Sequence, residues 1–364
     1  MSKILFFTTQ TVIPADGVSK KVFGQVNAMR NLGHQVHFMY PMQGRETIDL
    51  YLNDDVFKSD MFHNSCYKYI IEYIRDNEIE ALFIRYVVMA SPRFLFFLKR
   101  ASKYVKKIVI EMPTYPYDGE LKCSSLGTFI LRYKEKICRQ FLYKWIDYVM
   151  TYATDKKIFN IPCIHISNAP AYRLPVKKES VLSSPLRLIA VANIAEWHGY
   201  DRLINGMIEY NKRNDRKDVE VLIVGGGDAR TIESLKSLVR DQKLQEQIKF
   251  LGSKDGKELD ELFDNADLAI GSLGRHRNGI KQLKTLKNVE YAMRGIPFFY
   301  SEENEDFDGK PYVFKVPADE TPIIIEDLVK FIKNFKMTSS EISSSVSNMT
   351  WENQFNKVFQ IIAL

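Results

Sequence analysis

The chain alternates apolar runs of strand length with amphipathic stretches of helical length, and the alternation restarts after residue 185. The predicted strands of the first half are Lys3–Thr8, Gln35–Tyr40, Ala81–Tyr86 and Lys107–Glu111. Those of the second half are Leu186–Ala192, Val219–Val224, Ile248–Leu251 and Leu268–Ile270. Apolar residues at helical spacing predict helices over Ser19–Leu32, Ser124–Trp145, Tyr200–Lys212, Ala229–Gln242 and Lys257–Asn265. Because repeated βα units favour parallel sheets covered by helices, the sequence predicts an α/β fold with two doubly wound domains.

The length supports this division, because a single core seldom grows to 364 residues. Ala169–Pro185 is rich in proline, serine and charge, and we interpret it as the linker. The domains are therefore predicted to span residues 1–170 and 171–350, followed by a helix over residues 351–364.

Composition restricts the class of protein. Hydrophobic residues make up 45% and charged residues 26% of the chain, which is typical of globular proteins. No apolar stretch approaches the ~20 residues that a membrane-spanning helix needs, and Met1–Thr9 resembles a first strand more than a signal peptide. The four scattered cysteines form no metal-binding pattern. These features predict reduced, buried thiols and a cytoplasmic protein, soluble or peripheral on the inner face of a membrane.

The net charge of +6 is unevenly spread. Residues 1–180 contain 26 Lys and Arg against 17 Asp and Glu, whereas residues 181–364 contain 25 against 28. A basic first half can attract phosphates, nucleic acid or an anionic lipid surface, or it can simply be solvated. It contains no recognisable nucleic-acid reader motif, so we expect no nucleic-acid partner.

A glycine-rich turn, Val224-Gly225-Gly226-Gly227-Asp228, closes a predicted strand and precedes a helix. Glycines let a ligand approach the backbone closely, although a tight turn alone also needs them. The spacing differs from the dinucleotide fingerprint, which argues against a dehydrogenase.

A second candidate site begins at Thr285, where helical spacing starts; it stops at Gly295. A helix N-terminus flanked by Lys284 and Lys287 is suited to bind a diphosphate. Glu290, one turn further, is placed to accept both hydroxyls of a ribose. The alternative is a solvated basic helix start with an exposed glutamate.

With these motifs the chain resembles a retaining glycosyltransferase of the GT-B fold and family 4 type (glycosyl transferases group 1). That family has a Glu-x7-Glu motif before a Gly-x-Pro; its second Glu corresponds to Glu290, and Gly295-Ile296-Pro297 follows. Further matches in family order are Gly33-His34-Gln35-Val36, Trp197-His198-Gly199-Tyr200-Asp201-Arg202, Val224-Gly225-Gly226-Gly227, Phe250-Leu251-Gly252 and Ala266-Asp267-Leu268. The resemblance covers nearly the whole chain. It implies an acceptor-binding first domain and a nucleotide-sugar-binding second domain facing each other across a cleft, with the last helix packing back on the first domain.

The resemblance also implies roles for individual residues. Glu290 would hold the ribose and Gln282 would help to position the sugar, so both are candidate catalytic residues. Gly226 and Ser253 would border the base. The implied reaction moves a sugar from a nucleoside diphosphate sugar to a glycan or polyprenyl-linked glycan with retention, in the synthesis of a surface polysaccharide or glycoconjugate.

Three positions depart from the family pattern. Gln282 stands where the family has its first Glu, and Asn193 and His198 stand where it has a diphosphate-binding Arg and Lys. A diphosphate still needs cations or aligned N–H donors. The candidate substitutes are Lys284, Lys287, Arg275, Arg277 and protonated His198.

The acceptor side carries fewer signals. The loop after the fourth predicted strand takes the place where many relatives have a His, and it offers Glu111, Thr114 and Asp118 instead, with Tyr115 beside them. Gly17, before the first helix, is a further candidate acceptor contact. The alternative for this loop is a rigid proline-rich turn with packed tyrosines.

The predicted helix over residues 129–145 mixes five basic residues with five aromatic ones. A helix of this composition can rest on a membrane surface, although such helices more often bury their aromatic side chains. Peripheral membrane contact is therefore one expectation, and a solvated helix is the other.

We expect no metal and no other cofactor. Asp306-Phe307-Asp308 is an Asp-x-Asp triplet, but it stands after the donor-site helix rather than in mid-domain after a strand. We interpret it as a solvated acidic loop.

Two other functions stay open on the sequence alone. A nucleotide-sugar 2-epimerase has the same overall fold. A non-catalytic relative could bind glycan or stabilise a partner transferase, and the changes at Gln282, Asn193 and His198 motivate that reading.

Overall fold

The computed structural model describes residues 1–12, 17–43, 48–59, 66–118, 126–179, 181–213 and 218–364. The chain divides into two units, one formed by Met1–Tyr172 with Thr350–Leu364 and the other by Arg173–Met349. We call them the first unit and the second unit. The predicted linker contains this division, and Pro14, Ser124 and Cys123 lie outside the described residues.

The first unit contains a nine-stranded sheet. Its strands are β1 (Lys3–Thr8), β2 (Gln35–Gln43), β3 (Ile48–Leu52), β4 (Asp55–Lys58), β5 (Ala81–Arg85), β6 (Lys107–Met112), β7 (Tyr148–Thr151), β8 (Lys157–Ile158) and β9 (Ile161–His165). Their order is β4-β3-β2-β1-β5-β6-β7-β9-β8. The six central strands, β2, β1, β5, β6, β7 and β9, pair with one another in parallel. Strands β3 and β4 at one edge and β8 at the other are antiparallel. The parallel centre was predicted; the antiparallel edges were not.

Helices cover both faces of this sheet. They are α1 (Gly17–Asn31), α2 (Cys66–Asp76), α3 (Pro92–Ala101) and α4 (Leu126–Cys138). The predicted helix over 124–145 is shorter than expected, because a 3₁₀ helix, Arg139–Lys144, continues from α4. Of the cysteines, Cys66 and Cys138 are buried and Cys163 is half-buried.

The second unit contains a six-stranded, wholly parallel sheet. Its strands are β10 (Leu186–Val191), β11 (Val219–Val224), β12 (Ile248–Gly252), β13 (Leu268–Ile270), β14 (Phe298–Tyr300) and β15 (Val313–Lys315). Their order is β12-β11-β10-β13-β14-β15. Counted from β10, this is the 3-2-1-4-5-6 order of the Rossmann fold.

The helices of the second unit are α5 (Tyr200–Asn211), α6 (Ala229–Asp241), α7 (Gly256–Asp264), α8 (Leu286–Met293), α9 (Ile325–Lys333) and α10 (Ser339–Ser344). Local signals set their ends: Asp228 caps α6 by accepting from the amide of Thr231 (2.8 Å), and Gly295 follows α8 at φ +72°. The predicted α/β class with two parallel-sheet domains is therefore confirmed.

The last helix, α11 (Trp351–Ile362), belongs to the first unit. Thr350 caps it, and Phe355 and Phe359 meet the ring of Phe83 edge-on at centroid distances of 6.2 and 6.1 Å. Its buried face completes the core on that side of the nine-stranded sheet.

Candidate functional site

The strand order of the second sheet turns between β10 and β13. Open α/β sheets bind ligands beyond the carboxyl ends of their strands at such a switch point. The loop after β10 contains the 3₁₀ helix Glu196–His198, and the loop after β13 contains the 3₁₀ helix Arg275–Asn278. These two loops form the edge at which a ligand site is expected.

The two loops are hydrogen-bonded to each other. The amide of Leu273 donates to the carbonyl of His198 (3.0 Å), and that of Gly274 donates to the carbonyl of Trp197 (3.2 Å). Gly199, at φ +64°, lies so close that a Cβ there would stand 2.7 Å from the amide nitrogen of Gly274. The Trp-His-Gly motif therefore serves to join the loops.

Arg202 holds the same edge from inside. Its side chain is buried, and its guanidinium donates to the carbonyls of Leu273, Thr321 and Pro317, the last two at 2.9 Å. A buried guanidinium that is bonded to three carbonyls fixes the loop after β13 in one position.

The glycine-rich turn after β11 packs against the loop after β10. A Cβ on Gly225 would stand 1.8 Å from the carbonyl oxygen of Ala192, and one on Gly227 would stand 2.2 Å from that of Ile194. Both glycines have positive φ, at +133° and +144°. The turn itself therefore requires these two glycines.

Gly226 differs from its neighbours, because a side chain there would point toward Ser253 and not into the backbone of another loop. A Cβ on Gly226 would stand 3.3 Å from the Oγ atom of Ser253. Ser253 is exposed, and so is Asn193 in the loop after β10. The structure thus brings together the two residues predicted to border the base, on the same sheet edge as Asn193.

Helix α8 is fixed to the switch point by Tyr291. Its hydroxyl accepts from the amide of Val191 at the end of β10 (3.2 Å) and donates to the carbonyl of Ile270 at the end of β13 (3.0 Å). Glu290, the preceding residue, is half-buried and lies one turn after Lys287.

Buried polar groups without hydrogen-bond partners gather around the first turn of α8. Thr285 is the N-cap residue, yet its buried hydroxyl does not cap the helix. Asn288 is completely buried, and neither polar atom of its side chain is bonded within the described part of the chain. The same holds for the hydroxyl of Ser272 and the carboxyl group of Glu302, which follow β13 and β14. An unpaired buried polar group costs about 1–3 kcal/mol, so this cluster marks a place that water or a polar ligand completes.

Lys287 places an amine in this cluster. Its Nζ atom is buried and has no hydrogen-bond partner among the residues described. Burial, followed by the positive charge of Arg275, holds the pKa of Lys287 well below its ordinary value, while Glu302 and Glu290 oppose this shift. Such an amine favours an anionic ligand, which stabilises its charged form.

Arg275 supplies a second cation at the same place. Its guanidinium carbon lies 5.6 Å from the ring centroid of Trp197. Its charge acts on Lys287, His198 and Glu302. The structure therefore groups Arg275 with Lys287 and His198, which are three of the residues that the sequence offered for binding a diphosphate.

The prediction of a protonated His198 is wrong. Its side chain is buried, and its Nδ1 atom accepts a 3.0 Å hydrogen bond from the amide of Ala195. Burial, with the charges of Lys287 and Arg275, lowers the pKa of His198 well below its ordinary value. A neutral ring with Nδ1 as acceptor carries its proton on Nε2, so His198 can donate a hydrogen bond but supplies no charge.

Arg277 is not available as a second substitute cation, which corrects another expectation. Its guanidinium binds both carboxylate oxygens of Asp201, and it binds Glu320 through Nε and Nη2. These carboxylates raise the pKa of Arg277. Arg277 therefore links the loop after β13 to the start of α5.

Lys284 and Gln282 contact an acidic loop. The Nζ atom of Lys284 lies 3.0 Å from Oδ1 of Asp306 and 3.6 Å from Oε2 of Glu305. The amide nitrogen of Gln282 donates to Oε2 of Glu303 at 3.0 Å, and Gln282 is exposed. The structure therefore brings both side chains to the acidic loop.

The acidic loop, residues 301–309, is not the solvated segment that we expected from its Asp-Phe-Asp triplet. Phe307 is fully buried and meets Phe298 edge-on. Asp308 accepts from the hydroxyl of Tyr300 (2.7 Å) and from the amide of Asn304 (2.9 Å). The loop is folded onto the end of β14, which no local pattern in the sequence shows.

The candidate acceptor residues lie at the carboxyl edge of the first sheet. Gly17 is the exposed first residue of α1, in the connection after β1. Thr114 and Tyr115 follow β6 and are half-buried, with Tyr115 edge-on to Phe159 at 5.8 Å. Strand β5 separates β1 from β6, so these residues follow two strands of the same sheet edge that are not neighbours.

Glu111, offered with them, is buried in an ionic network instead. It accepts from Arg85 (2.7 Å), the hydroxyl of Tyr152 (2.7 Å) and Gln25 (3.0 Å), and Lys21 lies 3.5 Å away. Burial alone would raise its pKa, but the charges of Arg85 and Lys21 and these hydrogen bonds bring it down to about 2.

Asp118 is also engaged. Both of its carboxylate oxygens bind the guanidinium of Arg139, each at 3.0 Å. Neither Asp118 nor Glu111 replaces the missing histidine in the way we expected.

Sequence reasoning missed Ser272, Asn288 and Glu302. The only sequence signal for Glu302 is its place two residues after the apolar run of β14. The acidic loop contains five carboxylates, and their spacing does not show which one is buried.

Metal-binding and membrane-spanning features are absent from the described residues. They contain no group of three or more His, Cys, Asp or Glu placed to hold a metal ion. In the same ranges, no helix is long and apolar enough to cross a membrane.

Comparison with known proteins gives one match to a family. Residues 176–281 match the family described as Glycosyl transferases group 1. No curated protein matches the chain.

Solved structures share the fold at low identity. The sucrose-phosphate synthase of Thermosynechococcus elongatus has a TM-score of 0.69 at 12% identity, with 100% of this chain and 98% of that one covered. HepE of Anabaena, in complex with UDP and glucose, gives 0.67 at 11% identity with both chains fully covered. A glycosyltransferase of Rickettsia africae gives 0.62 at 14% identity, with 99% and 98% covered. The two parallel-sheet domains are therefore those of the GT-B fold.

Proposed function

We propose that this protein is a glycosyltransferase that moves a sugar from a nucleoside diphosphate sugar to a glycan or polyprenyl-linked glycan. The observation that carries the proposal is the cluster of buried, unpaired polar groups around the first turn of α8. It lies beyond the carboxyl ends of a sheet with Rossmann order, where such sheets bind nucleotides. The group 1 match over residues 176–281 supports the same reaction class.

The charges in this cluster are suited to a diphosphate. Lys287 has a buried amine with no hydrogen-bond partner among the described residues, and Arg275 adds a guanidinium. The N-terminus of α8 adds unsatisfied amide groups and the positive end of the helix dipole. These donors replace the Arg and Lys that Asn193 and His198 do not supply.

The same groups can assist departure of the diphosphate. As the bond between the sugar's anomeric carbon and the diphosphate breaks, negative charge grows on the leaving phosphate oxygens. Fixed cations and amides stabilise that charge. The neutral ring of His198 adds a hydrogen-bond donor at Nε2. We propose that these protein groups act without a metal ion.

The remaining parts of the donor fit the same edge. Glu290, one turn after Lys287, would accept the ribose hydroxyls, and Gly226 with Ser253 would border the base. Because Gly226 has no side chain and the Ser253 hydroxyl beside it is exposed, a planar base can lie against this turn. The complex of Anabaena HepE with UDP and glucose supports a nucleotide-sugar donor in this fold.

We place the acceptor in the first unit, near Gly17, Thr114 and Tyr115. Retention at the anomeric carbon follows from the family resemblance, and NMR analysis of the product tests it. The reaction would belong to the synthesis of a surface polysaccharide or glycoconjugate.

We also propose that the first unit rests on an anionic membrane surface through α4 and the 3₁₀ helix after it. Leu131, Tyr133 and Phe129 are 66%, 60% and 57% exposed. Four further large apolar residues on this segment are exposed: Ile130, Ile137, Phe141 and Tyr143. Seven such side chains in fifteen residues form a surface that water solvates poorly.

The charges around this surface favour anionic lipid. Lys134, Lys136 and Lys144 are exposed along it, whereas Glu135 is buried and accepts from the hydroxyls of Tyr86 and Tyr117 at 2.6 Å. Positive charges beside apolar side chains are the features of an interfacial helix. This placement suits an acceptor carried on a lipid.

The first experiment is a thermal-shift panel with UDP, GDP, ADP and dTDP, each with and without an attached sugar. We expect the nucleotides of one base to raise the Tm of the wild-type chain. The same nucleotides should leave the Tm of Glu290→Ala unchanged. Glu209→Ala, which removes an exposed carboxylate late in α5, is the matched control and should respond like the wild type.

The outcomes separate the alternatives. Turnover of a sugar nucleotide alone into an isomeric sugar nucleotide would identify an epimerase. Absence of any nucleotide response would contradict the donor site and leave the non-catalytic, glycan-binding function.

A further inference from the structure

Three backbone hydrogen bonds hold the residues that follow β14. The amide of Ser301 donates to the carbonyl of Ser272 (3.0 Å). The amide of Glu303 donates to the carbonyl of Lys281 (2.8 Å), and its carbonyl accepts from the amide of Leu283 (3.0 Å). Within this segment Glu302 is buried and its neighbour Glu303 is exposed, so the two glutamates face different surroundings.

Glu303 faces outward, where its carboxylate binds the amide of Gln282. Glu302 faces inward and is 1% exposed. Neither oxygen of its carboxyl group has a hydrogen-bond partner on another described residue. Lys315 donates to the main-chain carbonyl of Glu302 and so fixes the backbone at this residue.

Three positive groups act on the Glu302 carboxyl group: Arg275, Lys287 and Lys315. Burial is nevertheless the largest effect, and it raises the pKa of this carboxyl group. A buried carboxyl group with open hydrogen-bonding positions can both accept from and donate to the hydroxyls of a ligand.

The charges of two carboxyl groups, Glu290 and Glu302, act on the amine of Lys287. Glu290 lies one turn further along α8, whereas Glu302 follows β14, so these carboxyl groups belong to different elements. A nucleotide sugar presents its groups in the order ribose, diphosphate and sugar. With the ribose at Glu290 and the diphosphate at Lys287, Glu302 is the carboxyl group left for the sugar.

We propose that Glu302 binds hydroxyl groups of the donor sugar and so contributes to selection of that sugar. The inference rests on the proposed function, because it takes the ligand to be a nucleoside diphosphate sugar. It also explains why Gln282, exposed and bonded to Glu303, need not supply the sugar contact.

A purely electrostatic role makes a different prediction. If Glu302 only balanced the charges of Lys287 and Arg275, its removal would change the binding of a nucleoside diphosphate with or without a sugar. If it binds the sugar, its removal changes only the additional affinity that the sugar provides.

The experiment compares these two affinities by calorimetry with the full chain. The ligands are UDP, GDP, ADP and dTDP, and UDP-glucose, UDP-galactose, GDP-mannose, ADP-glucose and dTDP-glucose. The variants are Glu302→Ala and the isosteric Glu302→Gln, with Glu303→Gln as the control on the exposed neighbour. Circular dichroism checks that each variant is folded, and Glu302→Gln preserves the test if Glu302→Ala does not fold.

We expect at least one sugar nucleotide to bind the wild type more tightly than its diphosphate does. Glu302→Ala should weaken that sugar nucleotide about tenfold or more, since buried hydrogen bonds to hydroxyls are lost, and change the diphosphate by less than about threefold. Glu302→Gln should show an intermediate loss, and Glu303→Gln should show none.

Three results would overturn the inference. Equal weakening of the diphosphate and the sugar nucleotide would assign Glu302 to charge balance alone. An unchanged sugar nucleotide affinity, or a wild type that gains nothing from the sugar, would remove the sugar contact while leaving the nucleotide site in place. A wild type that binds none of the diphosphates would reject the proposed function itself, and this inference with it.

Discussion

The guanidinium of Arg277 donates two hydrogen bonds to the carboxylate of Asp201, from Nη1 to Oδ1 at 2.9 Å and from Nη2 to Oδ2 at 2.7 Å. Arg277 was one of the cations expected at the diphosphate, and this pair shows that it joins protein elements instead. We therefore predict that Arg277→Gln lowers the Tm but changes the Kd for the nucleotide by less than about threefold, as is typical of a partly exposed ion pair. Lys287→Met, which removes the buried amine, should raise that Kd about tenfold or more. Calorimetry on both variants measures this contrast, and a larger loss in Arg277→Gln would show that our assignment is reversed.

Nucleotide binding should take up a proton above neutral pH. In the free protein, burial lowers the pKa of Lys287 below its ordinary 10.5, with Arg275 adding to the effect and Glu302 and Glu290 opposing it. A bound diphosphate stabilises the charged amine and raises its pKa again, so the affinity should fall as the pH rises through the lowered value. Calorimetry at pH 8 in two buffers of different ionisation enthalpy measures the uptake, which should disappear in Lys287→Met. Identical heats in the two buffers for the wild type would contradict the prediction.

Gly225 and Gly226, which follow β11, should tolerate substitution differently. A Cβ on Gly225 meets the carbonyl oxygen of Ala192 at 1.8 Å, whereas one on Gly226 meets only the side-chain oxygen of Ser253 at 3.3 Å. Gly225→Ala should therefore unfold or strongly destabilise the second unit, and Gly226→Ala should fold with nearly the wild-type Tm. Gly226→Val should also fold but should bind the nucleotide more weakly, because its side chain takes the space proposed for the base. Thermal scans and nucleotide titrations of the three variants test this order.

Membrane contact should depend on the exposed face of α4. We expect the wild type to sediment with vesicles that contain phosphatidylglycerol and not with pure phosphatidylcholine, because the face combines apolar and basic side chains. Leu131→Asp should abolish sedimentation without changing the Tm, since Leu131 is 66% exposed. Phe96→Asp, on a similarly exposed position of α3, is the matched control and should still sediment. Failure of the wild type to bind, with self-association lost in Leu131→Asp, would identify this face as an interface between two copies of the chain.

Glu111 should make the stability of the first unit sensitive to acid. Its pKa is about 2 in the folded protein against 4.5 ordinarily, so its contribution is present above pH 4.5 and is lost as the pH falls toward 2. The shift corresponds to roughly 3 kcal/mol. Glu111→Gln should be destabilised by about that amount at pH 7 in urea unfolding, and the difference from the wild type should shrink at pH 3. Glu72→Gln, on the surface of α2, should match the wild type at both pH values.

The sequence by itself determined the repeated βα order and the ends of most elements, because burial on one face of a strand or helix repeats with a fixed local period. It also indicated the N-terminus of α8, with Lys287 and Glu290 on its first turns, since helix caps and spacing are local signals. Only the tertiary structure decided which charged groups are paired. Arg277 is bonded to Asp201 and Lys284 to Asp306, whereas the buried amine of Lys287 has no hydrogen-bond partner among the described residues. These partners lie far apart in the chain and meet only because the strand order of the second sheet brings their loops to one edge. A carboxylate such as Glu302 becomes a candidate binding group through burial alone, and burial of a loop residue depends on the whole fold.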